Sequence, residues 1–207
     1  MRVSMLPVPR AWCRFMKGLA GAALLGALVG CAGLGGPAPA PAPARETLAA
    51  FELDGRFALR QGERNFAGRL SWRHVGTENV ILLSSPFGQG LAEIVTGAEG
   101  ARLTASDGKI YRAPDGQALV ERVLGYPLPI ERLADWLRAR AGEAMERDAQ
   151  GRVVRLREAG WDIRYEYDDD SALAPPGRLL ANGMGGDEVL ELRLRVDRWT
   201  ALPQHAP

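Results

Sequence analysis

Phe51-Glu-Leu-Asp-Gly-Arg-Phe-Ala-Leu-Arg-Gln61 decides the fold class. Phe51, Leu53, Gly55, Phe57 and Leu59 fall on one face, while Glu52, Asp54, Arg56 and Arg60 fall on the other. A period of two with one apolar face marks a strand buried on one side. The pattern returns after Gly62, with Phe66, Gly68, Leu70 and Trp72 set against Asn65, Arg69, Ser71 and Arg73. Residues 79–84 and 90–96 make two further runs, and 101–106 and 109–113 flank Asp107-Gly108, where glycine accepts the positive φ of a tight hairpin. Towards the C-terminus, Val154 and Leu156 lead to a turn at Ala159-Gly160. Trp161, Ile163, Tyr165 and Tyr167 then alternate with polar residues, as do Leu190, Leu192, Leu194 and Val196, before Trp199.

Midway the period changes. Asp115 is placed to cap a helix carrying Leu119, Val120, Val123 and Leu124, with Gly125 as its stop. Pro127 and Pro129 bracket a linker, after which Ile130, Leu133, Trp136 and Leu137 recur at helical spacing up to about Gly142. Each helix has one apolar face, so each should lie against the sheet. The expected fold is mostly β with helices (α+β): 10–11 short antiparallel strands forming a curved sheet over a helical pair, or a barrel.

Outward from this domain, the N-terminus reads as an address. Arg2, Arg10, Arg14 and Lys17 precede a 13-residue apolar run, Gly18 to Gly30, too short to span a bilayer. The run ends in Leu28-Val-Gly-Cys31, which resembles a bacterial lipobox. That resemblance implies cleavage before Cys31, a diacylglyceryl thioether on its sulfur, and acylation of the new amino terminus. Several acyl chains exceed the two signals that stable anchoring needs. Cys13 leaves with the leader and Cys31 is alkylated, so the domain is stabilised by its core and not by a disulfide. Residues 32–44, AGLGGPAPAPAPA, read as an extended spacer. The expected organisation is therefore a leader at 1–30, a lipidated cysteine and tether at 31–46, and one folded domain at 47–204.

Four of the 26 Lys and Arg lie in the leader, which holds none of the 25 Asp and Glu; the 22 that remain against 25 give the rest a net charge of −3. Nucleic acid is thereby not an expected partner, since such binding rests on neutralised phosphates. Metal-ligand spacings, a nucleophile elbow and a phosphate loop are all missing from the sequence, so no cofactor, metal or enzymatic reaction is expected. Gly183-Met-Gly-Gly186 reads as a turn between strands, Asp168-Asp-Asp170 as a solvated loop, and His74 as a surface residue. The aromatic residues of the strands and second helix read singly as core. Taken together they suit the wall of an incompletely filled barrel. Phe57, Leu70, Trp72, Trp161, Ile163 and Leu192 are the candidate lining, with Trp136 and Leu137 on a helical lid.

Between two strands stands Ser84-Ser-Pro-Phe-Gly-Gln-Gly90, a loop by every local signal. Phe87 is its apolar tip, flanked by Pro86 and Gly88. A single exposed apolar side chain is ordinary; at a loop tip it also suits entry into a membrane or a hydrophobic partner.

Leu53-Asp-Gly-Arg-Phe-Ala-Leu59, Gly68-Arg-Leu-Ser-Trp72, Ser85-Pro-Phe-Gly88, Asp107-Gly-Lys-Ile-Tyr111, Leu124-Gly-Tyr-Pro-Leu-Pro129, Leu133-Ala-Asp-Trp136, Gly160-Trp-Asp-Ile-Arg-Tyr165 and Val196-Asp-Arg-Trp199 follow one another behind the lipobox. In this order they resemble the LolB family of outer-membrane lipoprotein receptors, over about residues 50–200. The resemblance implies an open, half-closed β-barrel capped by helices over an apolar cavity. It implies a monomer that receives client lipoproteins, with their acyl chains, from the soluble periplasmic carrier LolA. The resemblance also implies their release into outer-membrane lipid without nucleotide. In the family the loop matching 84–90 carries an apolar tip, usually leucine, and here Phe87 departs from that. Ala32 after the cysteine permits sorting to the outer membrane, and Cys31 would sit in the leaflet facing the periplasm. The family's Gly-Leu-Pro-like turn has no counterpart within 138–152, so the exit of the second helix is expected to differ. Two other readings stay open from sequence: a lipocalin-like binder of a small apolar ligand, and a non-enzymatic envelope scaffold with a filled core.

Overall fold

Phe51–Gln61 forms β1, and it lies at the middle of a sheet. The computed structural model describes residues 42–126, 128–140, 143–185 and 188–203. The leader, Cys31 and most of the tether lie outside the described residues. A short 3-10 turn at Arg45–Thr47 leads into β1, followed by β2 (Arg64–Val75), β3 (Glu78–Ser84), β4 (Gly90–Gly97), β5 (Gly100–Ala105) and β6 (Ile110–Ala113). Two helices follow, α1 (Gly116–Leu124) and α2 (Ile130–Leu137). The chain then returns through β7 (Ala144–Arg147), β8 (Val153–Glu158), β9 (Trp161–Glu166), β10 (Arg178–Gly185) and β11 (Glu188–Ala201). The eleven strands make one antiparallel sheet in the order β6-β5-β4-β3-β2-β1-β11-β10-β9-β8-β7. Its edges, β6 and β7, do not pair, so the sheet is open, as the half-closed barrel expectation required.

The first helix forms where its punctuation predicts. The Asp115 carboxylate accepts from the Ala118 amide at 2.7 Å, and Gly125 ends the helix at φ +86°. The second is shorter than its apolar spacing suggests. It stops at Leu137 rather than near Gly142, which itself lies outside the described residues. Ala139 takes a left-handed φ of +50°, and the Arg138 guanidinium turns back to donate to the carbonyls of Leu48 (3.1 Å) and Ala49 (3.2 Å). The chain thus leaves the helix early, and Ala144–Arg147 becomes edge strand β7.

Two further expectations are corrected. Gly183 and Met184 are not in a turn but within β10, paired with Leu190 and Val189 of β11. Two glycines had masked the alternation of Leu179, Ala181 and Gly183 on the inner face. Gly183 is where the Trp161 indole packs: a Cβ there would come within 2.7 Å of the ring. His74 is buried, not at the surface. Its Nδ1–H donates to Asn79 Oδ1 at 2.8 Å, which also accepts from Trp72 Nε1 at 3.0 Å, while the Asn79 amide donates to Thr96 Oγ1 at 3.0 Å. Asp168–Asp170 is exposed, with Asp168 paired to Arg195 at 2.7 Å.

One irregularity keeps the apolar face continuous. The β1–β11 register shifts between Asp54 and Gly55, which pair with Arg198 and Val196 and leave Asp197 as an extra residue. The bulge lets Val196 and Trp199, three positions apart, both face inward. Gly55 is needed there, because a Cβ would collide with the Arg195 carbonyl oxygen.

Candidate functional site

The turns 62–63, 85–89 and 106–109 lie at one end of the sheet, here called the upper end, because β1, β3 and β5 run towards it. The opposite end is sealed. Phe51 sits 5.1 Å from the His74 ring, 5.2 Å from Trp199 and 6.2 Å from Trp72, with the Arg138 guanidinium 5.6 Å above it. Burial pushes the His74 pKa below its ordinary value, with the positive charge of Arg138 acting in the same direction and the Asn79 bond and Asp135 opposing.

From β2 to β5 the inner face loses its cover towards the upper end. The basal row, His74, Asn79, Thr96 and Ala101, is buried, and so is the next, Trp72, Ile81, Ile94 and Leu103. One step higher, Leu70 is buried but Leu83, Ala92 and Ala105 are only half buried. Phe57 is half buried, and Phe66, in the topmost row with Leu59, is 46% exposed. Tyr111 on β6 and Val123 and Leu124 on α1 are half buried as well. Small residues help keep this surface open. Gly68 faces Phe57 across β1 and β2, and a Cβ there would strike the Ser84 carbonyl oxygen.

The other half is filled. Leu156, Ile163, Ala181 and Leu190 have no exposed surface, and α2 reaches this side of the sheet at β8 and β9. Its Trp136 packs 5.5 Å from Trp161 and donates Nε1–H to Glu158 Oε2 at 2.8 Å. Arg132 pairs with the other oxygen of the same carboxylate. The predicted residues Leu70, Trp72, Trp136, Leu137, Trp161, Ile163 and Leu192 are therefore all inner-face or helix residues in one buried cluster. Of the eight predicted lining residues, Phe57 alone belongs to the half-exposed surface.

Beside that surface stands the 85–89 loop. The Ser85 amide donates to the Gln89 carbonyl at 2.8 Å and the Gly88 amide to the Ser85 carbonyl at 2.9 Å. Gly88 takes φ +89°, a conformation that favours glycine. Pro86 and Gly88 are exposed, and Phe87 between them is 99% exposed. The loop is held by its backbone, so the aromatic tip is presented rather than packed.

The family model for outer membrane lipoprotein LolB matches residues 49–199. The chain belongs to the LolB family. One LolB relative, from Dechloromonas aromatica, is 40% identical over 183 residues, covering 85% of this chain and 93% of that protein. Another, from an Azoarcus species, is 35% identical over 193 residues, covering 91% and 97%. Among solved structures, a LolA superfamily protein from Nitrosomonas europaea is similar at a TM-score of 0.42 and 10% identity, covering 80% of this chain and 96% of that one.

Within this chain, sequence reasoning placed Phe66 among the aromatics of a barrel wall but missed Leu83, Ala92, Ala105 and Tyr111 as an open apolar surface. Alternation alone puts Phe66 on the inner face. What the pattern lacks is any sign of where the helices lie, and hence of which inner residues stay uncovered.

Proposed function

We propose that this chain is the outer-membrane receptor that accepts lipoproteins from the periplasmic carrier LolA and releases their acyl chains into the outer membrane. Residues 1–30 are the export leader, Cys31 is the lipidated anchor, 31–46 is the tether, and 47–204 is the receptor domain. The observation that carries this reading is the gradient of burial along β2–β5, which leaves an apolar surface open at the end that bears Phe87. Acyl chains rest on Phe57, Phe66, Leu83, Ala92, Ala105 and Tyr111 beneath α1. They leave towards a bilayer that Phe87 has entered.

The physical scheme needs no nucleotide. Moving alkyl surface from one water-excluding site to another, and then to a bilayer, is driven by the hydrophobic effect. The receptor must bind more tightly than the carrier and less tightly than the membrane, which suits a surface half open to solvent. Anchoring by lipid raises the local concentration of receptor at the membrane. The test is a two-stage transfer assay. A lipoprotein loaded on LolA should move to this chain on mixing, and then to liposomes. A chain that takes up no lipoprotein from the carrier overturns the reading. Uptake without release to liposomes points instead to a passive apolar store.

A further inference from the structure

Two tyrosine hydroxyls inside the domain have no hydrogen-bond partner among the described residues: those of Tyr126 and Tyr165. Both residues are almost wholly buried, 1% and 5% exposed, and both belong to the apolar core cluster. Leaving a buried hydroxyl unpaired costs free energy that a phenylalanine at the same place would not cost. Other aromatic and polar groups of the interior are paired. Trp72, His74 and Asn79 bond to one another, Trp136 bonds to Glu158, Trp199 donates to the Pro176 carbonyl at 3.1 Å, and Tyr167 donates to the Val153 carbonyl at 2.8 Å.

Their positions relate them to the open surface. Register places Tyr165 opposite Leu179, Leu179 opposite Leu194, Leu194 opposite Phe57 and Phe57 opposite Gly68. Tyr165 thus shares a transverse inner-face row with half-exposed Phe57, three strands or about 14 Å away. Tyr126 follows the Gly125 cap of α1, in the link to α2. The charge of Arg64, at the upper start of β2, acts on its hydroxyl. Tyr165 therefore lies in the inner-face row of Phe57, and Tyr126 in the link that follows α1. Burial pushes the Tyr126 pKa up to about 12 and raises that of Tyr165 as well. Both stay protonated at neutral pH and are available as donors.

A lipidated cysteine carries carbonyl oxygens where its alkyl chains begin, on the esters of the diacylglyceryl group and on the amide of the acylated amine. They are acceptors attached to chains that must enter an apolar site. The geometry points to Tyr126 and Tyr165 as the hydrogen-bond donors that receive these carbonyls when acyl chains lie on the inner face. This rests on the receptor reading above and adds a chemical selectivity to it: the site distinguishes acyl chains from alkyl chains of the same length.

The experiment compares the full chain in lipid nanodiscs with Tyr126→Phe, Tyr165→Phe and the double variant, with empty nanodiscs subtracted. The probes are a synthetic triacylated cysteinyl peptide and its ether analogue, in which alkyl groups replace the acyl groups. Each phenylalanine variant should melt at or above the parent's temperature. Each should bind the acyl probe roughly two- to tenfold more weakly, the range of one net hydrogen bond, and the ether probe with unchanged affinity. With the probe carbonyls labelled with carbon-13, their infrared stretch should shift to lower frequency on binding to the parent. That shift should shrink in the variants. Equal affinity of parent and variants for the acyl probe, or equal losses for both probes, overturns the assignment while leaving the receptor reading intact. Failure of the parent to bind either probe overturns both.

Discussion

Trp136 donates its indole N–H to Glu158 across 2.8 Å, and this bond joins helix α2 to the end of strand β8. The same carboxylate accepts from Arg132, so one side chain holds two positions of one helix face. Glu158→Leu should leave the buried indole N–H unpaired and destabilise the domain by about 1–3 kcal/mol. Glu158→Gln keeps an acceptor for Trp136 and should lose less. Urea unfolding of the three proteins checks this, and equal midpoints for parent and Glu158→Leu would show that packing alone seats α2.

Phe87 touches no core residue that its removal would expose. Phe87→Glu should therefore keep stability within about 0.5 kcal/mol of the parent. The charge would sit where the tip enters a bilayer, so uptake from the carrier should persist while delivery to liposomes falls sharply. Phe87→Leu should behave as the parent. A stable Phe87→Glu protein with normal release would sink the proposed role of the loop.

The half-open surface owes part of its room to two alanines, Ala92 and Ala105, opposite each other on β4 and β5. Ala92→Phe should fill this space from an already half-exposed position and change stability by no more than about 1 kcal/mol. Binding of a lipopeptide should fall at least several-fold. Unchanged binding would move the acyl site elsewhere on the domain.

His74 supplies a pH dependence whose sign follows from its burial. Its folded pKa lies below the ordinary value of about 6.5, so the unfolded chain takes up the proton first as pH falls. Stability is full above pH 6.5 and declines as pH drops from there towards the folded pKa. His74→Leu removes the titration, and the variant should lose less unfolding midpoint between pH 7.5 and pH 5 than the parent does. An equal drop in both would assign the acid sensitivity to other groups.

Cys31→Ala should abolish the lipid and release the chain from membranes. No helix among the described residues is long and apolar enough to cross one. Sedimentation of the variant with membranes after a high-salt wash would refute the lipid anchor.

The strands of the N-terminal half were legible because alternation is a local property, and so was α1, whose cap and stop lie within its own sequence. β10 was obscured because Gly183 has no side chain to declare a face, and the reason for that glycine, the Trp161 ring above it, comes from another strand. His74 looked superficial for a similar reason: Asn79 and Phe51, which bury it, are neighbours only across the sheet. The early end of α2 likewise depends on carbonyls of Leu48 and Ala49, some ninety residues earlier in the chain.

By itself, then, the sequence determined which side chains share a face in most strands, that a glycine-containing turn carries Phe87, and that the chain resembles a family of lipid-anchored receptors. The first two follow from backbone periodicity and short-range turn chemistry, which need no knowledge of distant residues; the resemblance rests on the order of short motifs along the chain. Only the tertiary structure decided which inner-face residues are core and which form an open apolar surface. That outcome depends on α2 docking against β8 and β9 through Trp136, Trp161 and Glu158, while the upper rows of β2–β5 stay partly uncovered. Burial is a property of what lies above a side chain, and here the covering residues come from far along the chain.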